Sequence, residues 1–249
     1  MCQCGNPQLH HHGFQYAGHE WHRGIGKDIA TCPEDNNRIL RQPFMTPLSY
    51  FQKDALAEIF NIGVGQAANS LSQIIGETIT PSIPTITILY SNDQAGAINT
   101  TTHRPRICAV SQDFTGSIDA KAFLIFPEGK TQEIARRMIG ESVSVDELKE
   151  MEQEALSEIG NIILNSCMSS LSEMLQTGFH CSIPACHLGF ADEILLAHST
   201  HDDLLILCHI DFSIPMTKSD GYLAFLLSPP SFKALVKQVD KSLSGLHGN

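Results

Sequence analysis

Two stretches of this 249-residue chain carry the same three polar side chains at the same spacing. "DALAEIFN" (54–61) holds Asp54, Glu58 and Asn61, and "EALSEIGN" (154–161) holds Glu154, Glu158 and Asn161. A carboxylate offers a charge-assisted contact to a cation, and a carboxamide both donates and accepts hydrogen bonds. On a helix, residues three and four apart share a face, so each triplet presents its groups to one partner. Asparagine is a poor helix former, so its appearance twice in mid-helix is unexpected on structural grounds alone.

The helices that position the triplets are legible. Ser49 and Gln52 form an S-x-x-Q capping box, and the apolar pattern runs from there to Ile75, where Gly76 stops it. At 100° per residue Leu56, Ile59, Phe60, Val64, Ala67, Leu71, Ile74 and Ile75 form one apolar stripe, with Asp54, Glu58 and Asn61 opposite. Gly65 lies one turn beyond Asn61 on the outward face. A glycine inside a helix costs about 1 kcal/mol relative to alanine, and its lack of a side chain admits a partner's backbone. The second stretch has Asn165 there. Its helix is expected from a Ser144/Glu147 capping box to about Leu175.

Residues 54–84 align without a gap on 154–184, with 12 identities in 31 positions, including Ser70-Leu71-Ser72 with Ser170-Leu171-Ser172 and Ser82-Ile83-Pro84 with Ser182-Ile183-Pro184. "AFLIFP" (122–127) further matches "AFLLSP" (224–229) at an offset of 102. The chain therefore reads as a duplication, with repeats at 46–140 and 144–245 in a single domain spanning 46–245. Strands are expected at 85–90, 106–112 and 119–126, and again at 184–189, 203–211 and 221–227. Helices follow at 131–140 and 231–243. The expected fold is α/β of the α+β kind: a duplicated α-β-β-β-α unit, its two long helices packed on one shared, mixed or antiparallel six-stranded sheet with pseudo-two-fold symmetry.

Sixteen basic against 27 acidic side chains, a net charge of −11, disfavour a nucleic-acid surface. Apolar runs stay well below the roughly 18 residues needed to span a bilayer, and the first 30 residues lack a signal-peptide pattern, so a cytoplasmic protein without membrane insertion is expected. Cys108, Cys167, Cys181, Cys186 and Cys208 have no paired spacing and read as reduced thiols, mostly small buried hydrophobes. No Ser/His or Cys/His nucleophile pattern, P-loop or dinucleotide fingerprint appears.

The full pattern, [Asp/Ser]-x3-Glu-x2-Asn-x22-Pro, is met by Asp54, Glu58, Asn61 and Pro84, and by Glu154, Glu158, Asn161 and Pro184. It resembles the signature of the CheC family of chemotaxis phosphatases (CheC, CheX and FliY types), departing from it only in Glu154, where the charge is retained. The resemblance covers about 200 residues. It implies hydrolysis of the aspartyl phosphate of a response-regulator receiver domain such as CheY, with Mg²⁺ supplied by that receiver and no cofactor of the chain's own. It further implies that Asn61 and Asn161 hold the attacking water, and that Glu58 and Glu158 pair with the receiver's lysine. Asp54, Glu154, Gly65 and Asn165 are left in supporting positions, and Pro84 and Pro184 at strand starts. The same resemblance allows a non-catalytic module of the flagellar switch that binds a receiver, or a partner for a CheD-like deamidase.

Residues 1–45 form a separate Cys/His-rich tail. It holds Cys2, Cys4 and Cys32 and five of the twelve histidines. Cys2, Cys4, His19, His22 and Cys32 are candidate ligands for zinc or another soft metal, although C-x-C is poor zinc spacing and a loosely docked tail accounts for the same residues.

Overall fold

In the computed structural model the described residues are 47–90, 106–139, 145–200, 202–214 and 217–246. The tail with its five candidate metal ligands, and Ser144 of the second capping box, lie outside them.

Helix α1 (Tyr50–Ile75) starts as its sequence dictates. Ser49 Oγ accepts from Gln52 N, Gln52 Oε1 accepts from Ser49 N, and Gly76 closes the other end in the left-handed region at φ 77°. Strands β1 (Thr80–Pro81), β2 (Thr85–Tyr90), β3 (Arg106–Gly116) and β4 (Ala120–Pro127) follow, then α2 (Glu128–Ile139). The second unit repeats the order: α3 (Val145–Leu175), β5 (Phe179–Cys181), β6 (Ala185–Phe190), β7 (Leu204–Ile214), β8 (Thr217–Leu227) and α5 (Pro229–Leu246), with an extra helix α4 (Ala191–His198) after β6. Gln176 takes the place of Gly76 after α3 and adopts the same left-handed backbone, at φ 50°.

Every pairing is antiparallel. The sheet runs β1-β7-β8-β4-β3-β5, with β2 continuing β1 along β7 and β6 continuing β5 along β3. Six strand positions thus hold eight strands, because Ser-Ile-Pro interrupts each edge where proline has no N–H for the ladder. The edge strands are exchanged. The first unit's β2 pairs with the second unit's β7, the second unit's β6 pairs with the first unit's β3, and β4 meets β8 at the pseudo-two-fold.

The main core lies between one sheet face and α1, α3 and α5, around Leu56, Phe60, Val64, Val110, Leu156, Leu164, Phe225 and Leu235. A second core covers the opposite face, where Ala191, Ile194 and Leu195 of α4 meet Ile107, Ala109, Phe123 and Ile125. Burial on both faces is why these strands read as continuous apolar runs rather than alternating ones.

Two expectations are corrected. Ile74 is not part of the buried stripe of α1 but 51% exposed, because in this last turn Ile75, one position further round, takes the place against the core. The 102-residue match between "AFLIFP" and "AFLLSP" is not a structural equivalence. Ala122 faces the main core while Ala224 faces the second. Asp113 opposes Lys121 and its counterpart Asp211 opposes Asp220, so the structural offset of the fourth strand is 99.

Two glycines set how closely the layers approach. A Cβ on Gly63 would stand 2.6 Å from Cys167 Cα, so α1 and α3 touch backbone to backbone. A Cβ on Gly160 would meet Val110 Cγ1 at 2.4 Å, which seats α3 directly on β3. Gly65 faces open space. Gly63→Ala is therefore expected to lower stability by about 1–3 kcal/mol through overpacking. Gly65→Ala, relieved of glycine's poor helix propensity, should raise it by up to about 1 kcal/mol. Urea unfolding of the two variants measures both, and equal effects would contradict the packing described.

Candidate functional site

On α1 the apolar positions pull one side of the helix into the core and leave Asp54 and Glu58 exposed and Asn61 half-buried on the other. Among the described residues none of these three side chains has a hydrogen-bond or ion-pair partner. The half-buried Gly65 leaves the space beside Asn61 open. This face offers two carboxylates and one carboxamide, each about a helical turn from the next, with both ends of the amide available to a partner among the described residues.

The second face has the same frame and a different interior. Glu154 and Glu158 are exposed and Asn161 is half-buried on α3. Asn165 Nδ2 donates to the Asn161 backbone carbonyl at 2.8 Å and to Asn161 Oδ1 at 2.7 Å. Gln112, 1% exposed on β3, donates from Nε2 to Asn161 Oδ1 at 3.2 Å and to the Ser182 carbonyl at 3.0 Å. Its Oε1 is buried with no partner among the described residues. Gly160 makes this reach possible, because α3 rests on Val110 and Gln112 lies two residues along the same face of β3.

Ser-Ile-Pro borders the second triplet, where Gln112 joins Asn161 to the Ser182 carbonyl, and each copy clamps its Ser-Ile-Pro in the same way. Ser182 N donates to the Asp113 carbonyl and Asp113 N donates to Ser182 Oγ, both at 2.9 Å. Ser82 and Asp211 make the same two bonds at 2.8 and 2.9 Å. Asp113 and Asp211 are therefore equivalent, and so are their neighbours Gln112 and Ile210. These clamps hold Ile83 and Ile183 out in water, 80% and 88% exposed. Pro84 and Pro184 precede β2 and β6, as their strand-start role requires. Pro184 also lines an open groove of about 350 Å³ with Glu154, Glu158, Met138, Ile139 and Met151. An outward-facing isoleucine in each copy leaves an apolar group in water, suited to burial by a protein partner.

The structure brings Glu154 and Glu158 together on that groove, and Asn161 together with Asn165. Sequence reasoning passed over Gln112, Ile83 and Ile183. The isoleucines stood in the repeat alignment as identities, but nothing there announced their exposure. Gln112 carried no signal, since it lies 49 residues from Asn161. No group of three His, Cys, Asp or Glu among the described residues is placed to hold a metal ion, and no described helix is long and apolar enough to cross a membrane.

The chain matches the family model "Chemotaxis phosphatase CheX" over residues 107–207 and the CheC-like family model over residues 51–88. The CheY-P phosphatase CheC of Bacillus subtilis (strain 168) is 26% identical over 136 residues, 53% of this chain and 64% of that protein. The flagellar motor switch phosphatase FliY of the same organism is 25% identical over 148 residues, 59% of this chain and 38% of that protein. The chain thus spans less than two thirds of the length of either relative. The crystal structure of Thermotoga maritima FliY superposes with a TM-score of 0.63 at 23% identity, covering 79% of this chain and all of that one, which establishes the shared fold.

Away from the triplets, His187 on β6 is joined to Ser111 through Nε2 at 2.8 Å, and its ring lies 5.0 Å from that of His198. Lys121 pairs with Asp113 at 2.7 Å nearby. Burial, then the charges of His198 and Lys121, hold His187 below the usual imidazole range; burial and Lys121 do the same to His198, with Asp113 opposing. Cys108 and Cys186 place their sulfurs 3.5 Å apart across β3 and β6, a pairing their sequence spacing did not suggest. Both histidines bind protons less readily folded than unfolded, so stability should be constant above about pH 6.5 and fall as the pH drops below it. Denaturant unfolding between pH 7.5 and 5.5 measures the slope, which His187→Gln with His198→Gln should flatten. An unchanged slope would remove these imidazoles as its source.

Proposed function

This chain belongs to the CheC family of chemotaxis phosphatases, and on that premise we propose that it hydrolyses the aspartyl phosphate of a CheY-type receiver domain. The observation that carries the reading is the pair of outward helix faces. Each presents a carboxylate and a carboxamide one turn apart on a rigid element.

Phosphoryl transfer depends on positioning and charge stabilisation more than on covalent help from the protein. The receiver brings its own Mg²⁺ and lysine to the phosphoryl oxygens. What remains to be supplied is a water held in line with the scissile bond. Asn61 is the group for that task, because a carboxamide oxygen accepts a water hydrogen and leaves a lone pair aimed at phosphorus, and Asn161 stands at the matching place on the second face. The water oxygen forms the new P–O bond as the bond from phosphorus to the aspartate oxygen breaks, giving free carboxylate and inorganic phosphate, with the surplus proton passing to phosphate or solvent. Glu58 and Glu158 engage the receiver's lysine and fix the docking register, a charge-assisted contact strengthened as the interface excludes water.

Phosphate release from a phosphorylated receiver of the same organism, with and without this protein, is the direct test. The wild type should accelerate the loss. Asn61→Ala combined with Asn161→Ala should reduce the acceleration by at least about 10²-fold, with an unchanged thermal midpoint. Glu58→Gln with Glu158→Gln should act mainly by raising the receiver concentration needed. Undiminished turnover in the double asparagine variant would overturn the assignment.

A further inference from the structure

The two faces differ in which end of the asparagine they offer. Two backbone carbonyls anchor the amide network of the second face, and a backbone carbonyl can only accept. The Ser182 carbonyl requires the nitrogen of Gln112 to face it, so Gln112 also turns a donor toward Asn161. The Asn161 carbonyl requires the nitrogen of Asn165, which likewise lies against Asn161 Oδ1. The Asn161 side chain must therefore meet both donors with its oxygen, and both lone pairs of that oxygen are engaged. Its NH₂ is what remains for a partner. In the first copy the equivalent positions are Ile210, fully buried and apolar, and Gly65, with open space beyond it. Among the described residues nothing engages the oxygen of Asn61.

We infer that the copies divide the work: Asn61 positions the attacking water, while Gln112 and Asn165 lock Asn161 into a donor-only face that docks a receiver without directing water at phosphorus. A water aimed at phosphorus must give a hydrogen to an acceptor, and a carboxamide whose oxygen is already engaged cannot take it. Gln112 is the positioning residue of this device. It acts through Asn161 from a strand of the other repeat. The inference rests on the phosphatase reading above.

Steady-state turnover of phosphorylated receiver separates the copies. Asn61→Ala should cost about tenfold more in kcat than Asn161→Ala, whose larger effect should fall on KM. Gln112→Ile with Asn165→Gly rebuilds the second face on the pattern of the first. Placed on Asn61→Ala, this pair should restore kcat by about fivefold or more, which a merely structural role for Gln112 would not produce. Side-chain amide hydrogen exchange by NMR gives a reading independent of turnover. The NH₂ protons of Gln112 and Asn165 should exchange at least about tenfold more slowly than those of Asn61, being held by acceptors. Equal exchange rates would overturn the lock whatever the activity. Slow exchange together with an Asn161→Ala variant as damaging in kcat as Asn61→Ala would overturn the division of work. Wild-type protein that fails to accelerate phosphate loss would overturn the phosphatase reading and leave the exchange result to decide the lock.

Discussion

The exchange of edge strands between the two repeats is the constraint on which the rest of the structure depends. β2 of the first unit hydrogen-bonds to β7 of the second, and β6 of the second to β3 of the first. A single unit would leave its third strand with an open edge and its own edge strand without a ladder, which buried backbone groups do not tolerate. Both units must therefore form together, and the sheet that supports one long helix is completed by residues of the other. The serine clamps follow from the same exchange, since Ser82 closes on Asp211 and Ser182 on Asp113.

Each triplet face is consequently composite. The second combines Glu158 and Asn161 of α3 with Ser182 of its own unit and Gln112 of the other. Duplication copied the helices with their triplets, but the floor beneath each triplet comes from the opposite repeat. Gln112 and Ile210 occupy equivalent floor positions with opposite chemistry, one a buried amide and one a buried aliphatic. Gly160 against Phe60 extends the difference. The glycine lets α3 settle onto Val110, whereas Phe60 stacks on Phe225 with ring centroids 4.8 Å apart. Symmetry of sequence in the triplets thus coexists with asymmetry in what supports them.

The helices and their outward groups were legible because their signals are local. Ser49, Gln52 and Gly76 bound α1, and the spacing of Leu56, Ile59 and Val64 placed Glu58 and Asn61 outward. The strands were legible in position but not in register. β4 and β8 are buried on both faces, so their apolar runs lack the alternation that would assign a face, and a chance likeness of "AFLIFP" to "AFLLSP" paired residues from opposite sides of the sheet. Helix α4 carries no capping side chain, Phe190 standing at its N-cap, which explains why no boundary signal marked it. The lock on Asn161 is a tertiary event built from residues on a strand, a helix and the Ser-Ile-Pro segment, and local pattern cannot report it.

Charge and apolar exposure act at different ranges on the surface that remains. With a net charge of −11 the chain would gain little long-range attraction for an acidic partner surface, and screening in physiological salt would confine what repulsion there is to about 8 Å. Affinity must then come from short-range contacts, and each face is equipped for them. Ile83 and Ile183 stand in water at a hydrophobic cost that burial against a partner would reverse. Glu58 and Glu158 gain strength once that burial removes water from around them. On the proposed docking the apolar and charged contacts would reinforce each other: the isoleucine would dry the interface in which the carboxylate met a lysine. A partner without a cation in register would leave a desolvated carboxylate unpaired, a larger penalty than the apolar contact returns, so under the proposed function selectivity would follow from the same geometry as affinity.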